Sequence, residues 1–459
     1  MKAKRFLWII LKGWLCFAIV CFLLHPLFRK NASPLPPRLH PQNISPIHQE
    51  RVLCIDDNQE ALLWRLRAIN SAKEDIVLST FAFNDDRSGT HVISALKDAA
   101  DRGVHVRILI DGMHGIVDLG GSQSFKALAA HPNVEAKLYN KISLLKPWKV
   151  HYRLHEKYLI IDDSFYLLGG RNTNDLFLGE YMEKRNIDRD ILVYSPEGNG
   201  SSMQQLKTCF EMTWNLKDCS LIKGRENPKV QDKLDAHYAT LQQDMPEAFV
   251  LPDLTEKTFS ANSVTLLTTS RETKVKQPIL WETLCAYMDE GQDVLIQTPY
   301  LICNKEMYSG LARISQNSQQ FYIITNDVSG GANPWGCADY LNQKNNIMKT
   351  GADIFEFCTP YSSHTKTILV DTSTCLIGSF NLDMRSTYLD TEMMLAIDCP
   401  QLNEQLRQEA NDLIEHSNHV SPDGTETPGP YYVPKKVSLP KRMIRSLLRV
   451  LILPARHLL

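Results

Sequence analysis

Net charge is nearly absent from this 459-residue chain: 50 Lys and Arg stand against 52 Asp and Glu, leaving −2 at pH 7. A protein that tracks a nucleic-acid backbone carries a broad basic surface, and this balance offers none, so no nucleic-acid partner is expected. The 11 Cys contain no C-x-x-C pair. They are scattered, mostly in apolar runs such as Phe355-Glu356-Phe357-Cys358, and read as buried free thiols that leave the redox compartment open. No carboxylates or Cys and His cluster at metal-ligand spacing, so no metal and no cofactor are expected. Long apolar runs are also missing after the first 30 residues. There, Lys2, Lys4 and Arg5 precede an apolar stretch from Phe6 to Phe28, interrupted by Lys12 and closed by Arg29 and Lys30. Roughly 20 apolar residues span a bilayer core. No small-x-small cleavage site follows, so residues 1–30 read as an uncleaved transmembrane anchor with Trp8 and Trp14 at an interface.

What is present is a duplicated motif. His155-Glu156-Lys157 is followed by Asp162, then Gly169-Gly170-Arg171-Asn172; His364-Thr365-Lys366 is followed by Asp371, then Gly378-Ser379-Phe380-Asn381. All spacings match. The residues between His and Asp are β-branched or apolar and predict a strand, on which residues two apart share a face. His155 and Lys157 therefore project together, as do His364 and Lys366. Packed face to face, the two copies gather two imidazoles and two ammoniums in one pocket. Lysines hold phosphate charge, Asn172 and Asn381 donate further hydrogen bonds, one imidazole attacks phosphorus and the other protonates the leaving alcohol. Ser379 adds a hydroxyl that Gly170 lacks. Asp162 and Asp371 complete the catalytic motif, although their place on the strand suits holding backbone. A nucleophilic imidazole needs a partner on its second nitrogen; Asp190 and Glu392, in strand-like runs after each motif, are the candidates. Arg153 could meet phosphate or solvent, and His151 and His114 have no twin in the second copy.

The duplication extends beyond the motifs. In the first copy helices are predicted over 61–72 and 92–102, and strands over 75–81, 104–111 and 134–139. In the second, helices are predicted over 278–291 and 338–350, and strands over 293–299, 321–325 and 353–357. Alternating β and α predicts a largely parallel sheet between helices in each. The expected organisation is anchor 1–30, Pro-rich linker 31–50, first repeat 51–225, connecting segment 226–262 with a helix over 232–241, second repeat 263–420, and tail 421–459. In the tail, Lys441, Arg442, Arg445, Arg449 and Arg456 recur at near-helical spacing beside Ile444, Leu447, Leu448 and Leu451. This reads either as a membrane-surface helix or as a cover over the chain's own apolar surface.

The motif pair, H-x-K-x4-D-x6-G-[SG]-x-N, resembles the phospholipase D superfamily. Phe83-Asn84-Asp85-Asp86-Arg87-Ser88-Gly89, His131-Pro132-Asn133-Val134, Asn333-Pro334-Trp335, the run from Gly378 to Ser386 and the Arg-rich tail are similar to the bacterial class C cardiolipin synthases. That resemblance implies an α/β fold of two α-β-α repeats packed as a pseudo-symmetric pair, with one shared site. It also implies metal-independent transfer of a phosphatidyl group to phosphatidylglycerol through a phosphohistidine. His155 would be the nucleophile and His364 the acid and later base. The implied substrates are phospholipids, with phosphatidylglycerol and phosphatidylethanolamine as donor candidates, and the implied location is the bacterial inner membrane. Thr80, Ala82 and Asp390 depart from the family pattern where the alcohol acceptor would be selected. A phospholipase D hydrolase, a phosphodiesterase or nuclease, and a catalytically silent membrane scaffold are the competing readings; a scaffold would be expected to have lost a motif His or Lys, and none is lost.

Overall fold

The computed structural model describes residues 2–24, 49–198, 200–331 and 333–459; the expected linker falls almost wholly outside them. Two nine-stranded sheets form, one from each repeat, with the same central order. In the first, Phe165–Gly169, Tyr158–Ile161, Asp75–Thr80, His105–Asp111 and Val134–Tyr139 lie side by side; in the second, Thr374–Gly378, Thr367–Val370, Asp293–Gln297, Gln320–Asn326 and Asp353–Phe357 do. The last three of each set are parallel, as expected. The motif strand is antiparallel to both its neighbours, so the sheets are mixed rather than largely parallel.

Strand alternation explains how the sheets stack. Tyr158 and Ile160 join a core between the two sheets, together with Leu295, Leu369 and Leu395 of the second repeat. Leu159 and Ile161 point the other way, into a core under the first repeat's helices, and Ile368 and Val370 do the same in the second. The result is helix, sheet, sheet, helix, with one dry layer shared by both repeats.

Helices begin earlier than periodicity predicts because caps start them. Asp86 accepts from Gly89 N at 3.0 Å, and the helix runs Arg87–Asp101 instead of from 92. Asn333 accepts from Trp335 N and Gly336 N ahead of a helix over Pro334–Met348, instead of from 338. The connecting helix is longer than expected, Pro228–Asp244. Strand Phe259–Ser260 of the connecting segment joins the first sheet, and Glu426–Pro428, beyond the expected end of the second repeat, joins the second.

A helix over Lys2–Leu24 occupies the expected anchor, but among the described residues no helix is long and apolar enough to cross a membrane. The expected apolar stretch runs on to Phe28, and its last four residues, 25–28, lie outside the described residues. The end of the helix docks on the body. Trp14 Nε1 donates to Leu144 O at 3.0 Å, and His151 Nε2 and His457 Nε2 each lie 2.7 Å from the carbonyls of Phe22 and Leu23.

Candidate active site

Each motif histidine sits just before its strand and is fastened to the opposite repeat. His155 N donates to Thr391 O at 3.1 Å beside a parallel bridge between Leu154 and Thr391. His364 N donates to Ile187 O at 2.6 Å, where Ser362–Ser363 pairs in parallel with Asn186–Ile187. These crossings deliver a carboxylate to each imidazole. His155 Nδ1 is 2.9 Å from Glu392 Oε1, and His364 Nδ1 is 2.6 Å from Asp188 Oδ2. Both carboxylates are wholly buried. With Nδ1 engaged, Nε2 is the nitrogen left for chemistry on each ring.

Glu392, expected as an orienting group, lies against the histidine of the other repeat. Asp190 instead binds Arg65 at 2.8 Å and Arg171 at 3.4 Å. Register explains the correction. Gly169 pairs with Asp190 and Gly378 with Met394, so the residue equivalent to Glu392 lies two before Asp190, at Asp188. A longer connection between motif and strand in the first repeat hides this equivalence. Gly170 makes room for it, since a Cβ there would press on the Asp188 carboxylate.

Ser379, at the matching place, is also reassigned. Its hydroxyl bonds Glu392 Oε2 and accepts from Met393 N at 3.0 Å, so it braces the carboxylate rather than meeting substrate. Ser386 Oγ donates to the other oxygen, Oε1, at 2.7 Å.

The motif aspartates are structural. Asp162 and Asp371 turn the motif hairpins in the left-handed region, at φ 48° and 50°, which a short polar side chain tolerates. Asp162 Oδ1 accepts from Glu74 N and Asp75 N, both at 2.9 Å; Asp371 Oδ1 accepts from Gln292 N at 2.8 Å and Asp293 N at 3.0 Å. Each is five residues past its lysine, roughly 16 Å along extended chain, too far to touch the reacting atoms.

Lys157 and Lys366 are both buried. Lys157 donates to His155 O and lies 5.2 Å from the Phe81 ring. Lys366 Nζ is 2.6 Å from His364 Nδ1 and 3.1 Å from Nε2. Asn172 Oδ1 accepts from Ala82 N at 3.3 Å. Asn381 Oδ1 is buried without a hydrogen-bond partner, an amide that a flip would aim as a donor. Aromatic rings wall the site: Phe81 against His155, Phe177 and Tyr300 against His364. His114, with no motif twin, reaches the site through Phe81, its ring 4.1 Å away. Arg153 does not face phosphate; it is buried against Asp111 at 3.2 Å and two backbone carbonyls.

The charges are asymmetric. Burial and Lys157 push the His155 imidazole well below its ordinary value, and burial and Lys366 take His364 down to about 4. Burial lowers Lys157 to about 7 and Lys366 to about 8. Burial raises Glu392 to about 7 against the pull of Lys157. Burial also opposes ionisation of Asp188, but Lys366 and His364 outweigh it and hold that carboxyl at about 2. Burial disfavours the charge on both lysines, and an anion such as a phosphodiester beside them would stabilise it.

Arg271 and Glu156 were not legible as site residues. The Arg271 guanidinium pairs with the buried Glu156 carboxylate inside the first H-x-K and donates to Glu392 O at 3.1 Å. One side chain thus ties the first motif to the carboxylate that orients its histidine.

Two repeats that each complete the other's histidine define a two-lobed protein of the phospholipase D type, with one composite site. The family described as "Cardiolipin synthase, PLD-like domain" matches residues 66–214 and 284–414, and the chain belongs to it. An uncharacterized protein of Helicobacter pylori is 25% identical over 420 residues, covering 82% of this chain and 81% of its own. Cardiolipin synthase C of Escherichia coli K12 is 25% identical over 390 residues, covering 75% and 80%. Among solved structures, phosphatidylserine synthase of Haemophilus influenzae superposes with a TM-score of 0.62 at 16% identity, over 90% of this chain and 98% of its own, which establishes the fold.

Proposed function

We propose that the protein is a cardiolipin synthase that transfers a phosphatidyl group to phosphatidylglycerol through a phosphohistidine on His155. The observation that carries this is the crosswise pairing of His155 with Glu392 and His364 with Asp188, beside Lys157 and Lys366. Glu392 holds the Nδ1 proton of His155, leaving the Nε2 lone pair for phosphorus. His364, next to a firmly ionised Asp188, is the ring that gains most proton affinity once the phosphodiester charge offsets the lysines. It donates that proton to the departing alcohol as the phosphorus–oxygen bond breaks. In the second half-reaction it takes the proton of the acceptor hydroxyl, whose oxygen displaces Nε2 from phosphorus. The lysines and the motif asparagines stabilise the charge that grows on the equatorial oxygens.

Transfer rather than hydrolysis requires an acceptor that outcompetes water, which a lipid-bound enzyme achieves through local concentration and a dry site. We place the catalytic body at a bacterial inner membrane for that reason, held by its N-terminal helix. The test is product analysis by mass after incubation with phosphatidylglycerol vesicles, with and without phosphatidylethanolamine. Cardiolipin as the main product supports the reading; phosphatidic acid as the main product makes the protein a phospholipase. Cleavage of DNA or RNA through the same histidines, with lipid untouched, makes it a nuclease.

A further inference from the structure

The tail helix Leu439–Leu451 has no buried residue, yet it is fastened to the second repeat. Its arginines do the fastening. Arg445 donates to Val328 O at 2.7 Å, Arg449 Nε to Asn342 Oδ1 at 2.8 Å, and beyond the helix Arg456 pairs with the buried Asp339 at 2.6 Å. Leu439, Met443, Ile444, Leu447, Val450 and Leu451 are left outside, each at least half exposed. Apolar side chains thus face outward while Arg445 and Arg449 bond the protein and Lys441 and Arg442 stay exposed, unlike the usual surface helix whose apolar residues face the protein.

Hydrogen bonds tie the end of this helix to other segments that carry exposed apolar side chains. His457, just past the helix, reaches Leu23 O of the N-terminal helix. Trp14 of that helix holds the loop at Leu144, where Leu144 and Leu145 are 69% and 86% exposed. The loop follows strand Val134–Tyr139, at the strand ends from which His155 also emerges. The N-terminal helix exposes Leu11, Leu15, Ile19 and Phe22 on one face and Phe17, Val20 and Leu24 on another. Exposure on more than one face suits an apolar medium and not a protein partner with a single complementary face. Exposed Lys12, Lys141, Lys146 and Lys441 border these segments and complement anionic headgroups.

We propose that helix Leu439–Leu451 lies in the plane of a lipid bilayer with Met443, Ile444, Leu447 and Val450 in the acyl layer and Arg445 and Arg449 bound to the protein, the Leu144–Leu145 loop forming a second point of insertion. Its purpose rests on the lipid-substrate reading above, but its test involves no turnover, so the two can fail separately. The area committed to lipid is apolar, so attachment through the tail depends on leucines and isoleucine more than on arginines.

The test is photolabelling of the full-length protein in vesicles of phosphatidylglycerol and phosphatidylcholine containing a phospholipid with a diazirine in its acyl chain. Adducts are mapped by peptide mass. Adducts are expected on peptides carrying Met443 to Leu451 and Leu144–Leu145, with none on helix Pro334–Met348 behind the tail. The exposed double substitution Ile444→Glu with Leu447→Glu should cut tail adducts by roughly tenfold or more, because a charge in the acyl layer is strongly disfavoured. Lys441→Gln should change them little. Labelling confined to the N-terminal helix overturns the proposal. So does an unlabelled tail in a protein that sediments as a dimer, which would make this face an interface with a second copy.

Discussion

His155 and His364 are expected to be jointly indispensable. With both rings on one reaction path, His155→Ala and His364→Ala should each lower turnover by roughly 10⁴-fold or more, and the double variant should be scarcely worse than either. Steady-state turnover of the three proteins checks this; half-activity in either single variant would mean two independent sites. Asp188 is the residue that structure adds. Asp188→Asn keeps the shape but removes the charge beside His364, and should cost roughly 10²-fold or more in turnover, whereas Asp190→Asn should act mainly on stability through Arg65 and Arg171. The lysines set a pH dependence. Lys157 and Lys366, lowered to about 7 and about 8, are charged below those values and neutral above them. Phosphate binding needs the charged forms. The kcat/KM profile, which reports the free enzyme, should therefore fall as pH rises from about 7 to above 8, and Lys157→Arg should move that fall upward. A profile flat to pH 9 in the unsubstituted protein would show that burial does not depress these groups.

At the level of elements, the two cross-repeat strand contacts do the positioning. Strand pairs Ser362–Ser363 with Asn186–Ile187, and Leu154 with Thr391, each carry a histidine to a foreign carboxylate. Buried Gly170 is the point of this arrangement most sensitive to an added side chain. Gly170→Ala drives a methyl into Asp188, and should reduce turnover about as much as Asp188→Asn while leaving far-UV circular dichroism unchanged; full activity would show that Asp188 is free to move. Much of this level was legible in sequence. The H-x-K pairs, the strand over 134–139 and the strand over 353–357 follow from spacing and alternation, and both orienting carboxylates lie in the runs where they were sought. What was not legible depends on register and long-range contact. Asp188 could be told from Asp190 only by the pairing of Gly169 and Gly378 with their neighbours. Ser379 turns toward Glu392 through strand register within the second repeat, and Arg271 links Glu156 of the first motif to Glu392 O; no local pattern encodes either. The helix starts at Arg87 and Pro334 follow from the cap residues Asp86 and Asn333, a signal that apolar periodicity does not carry.

On the scale of the whole molecule, two sheets share one apolar layer and one site lies across it. The repeats are alike in order but unlike in charge: Asp188 is held ionised at about 2, while Glu392 sits near 7. In the proposed mechanism that difference assigns the proton-carrying role to His364 and the nucleophilic role to His155. The measurement that tests this most directly is identification of the covalent intermediate. Full-length protein would be mixed with phosphatidylglycerol labelled in its phosphate, quenched in alkali to preserve phosphohistidine, digested, and mapped by mass. The label is expected on the peptide containing His155, to be absent in His155→Ala, and to accumulate there when His364→Ala slows release. Label on His364, or turnover without any labelled histidine, would contradict the account.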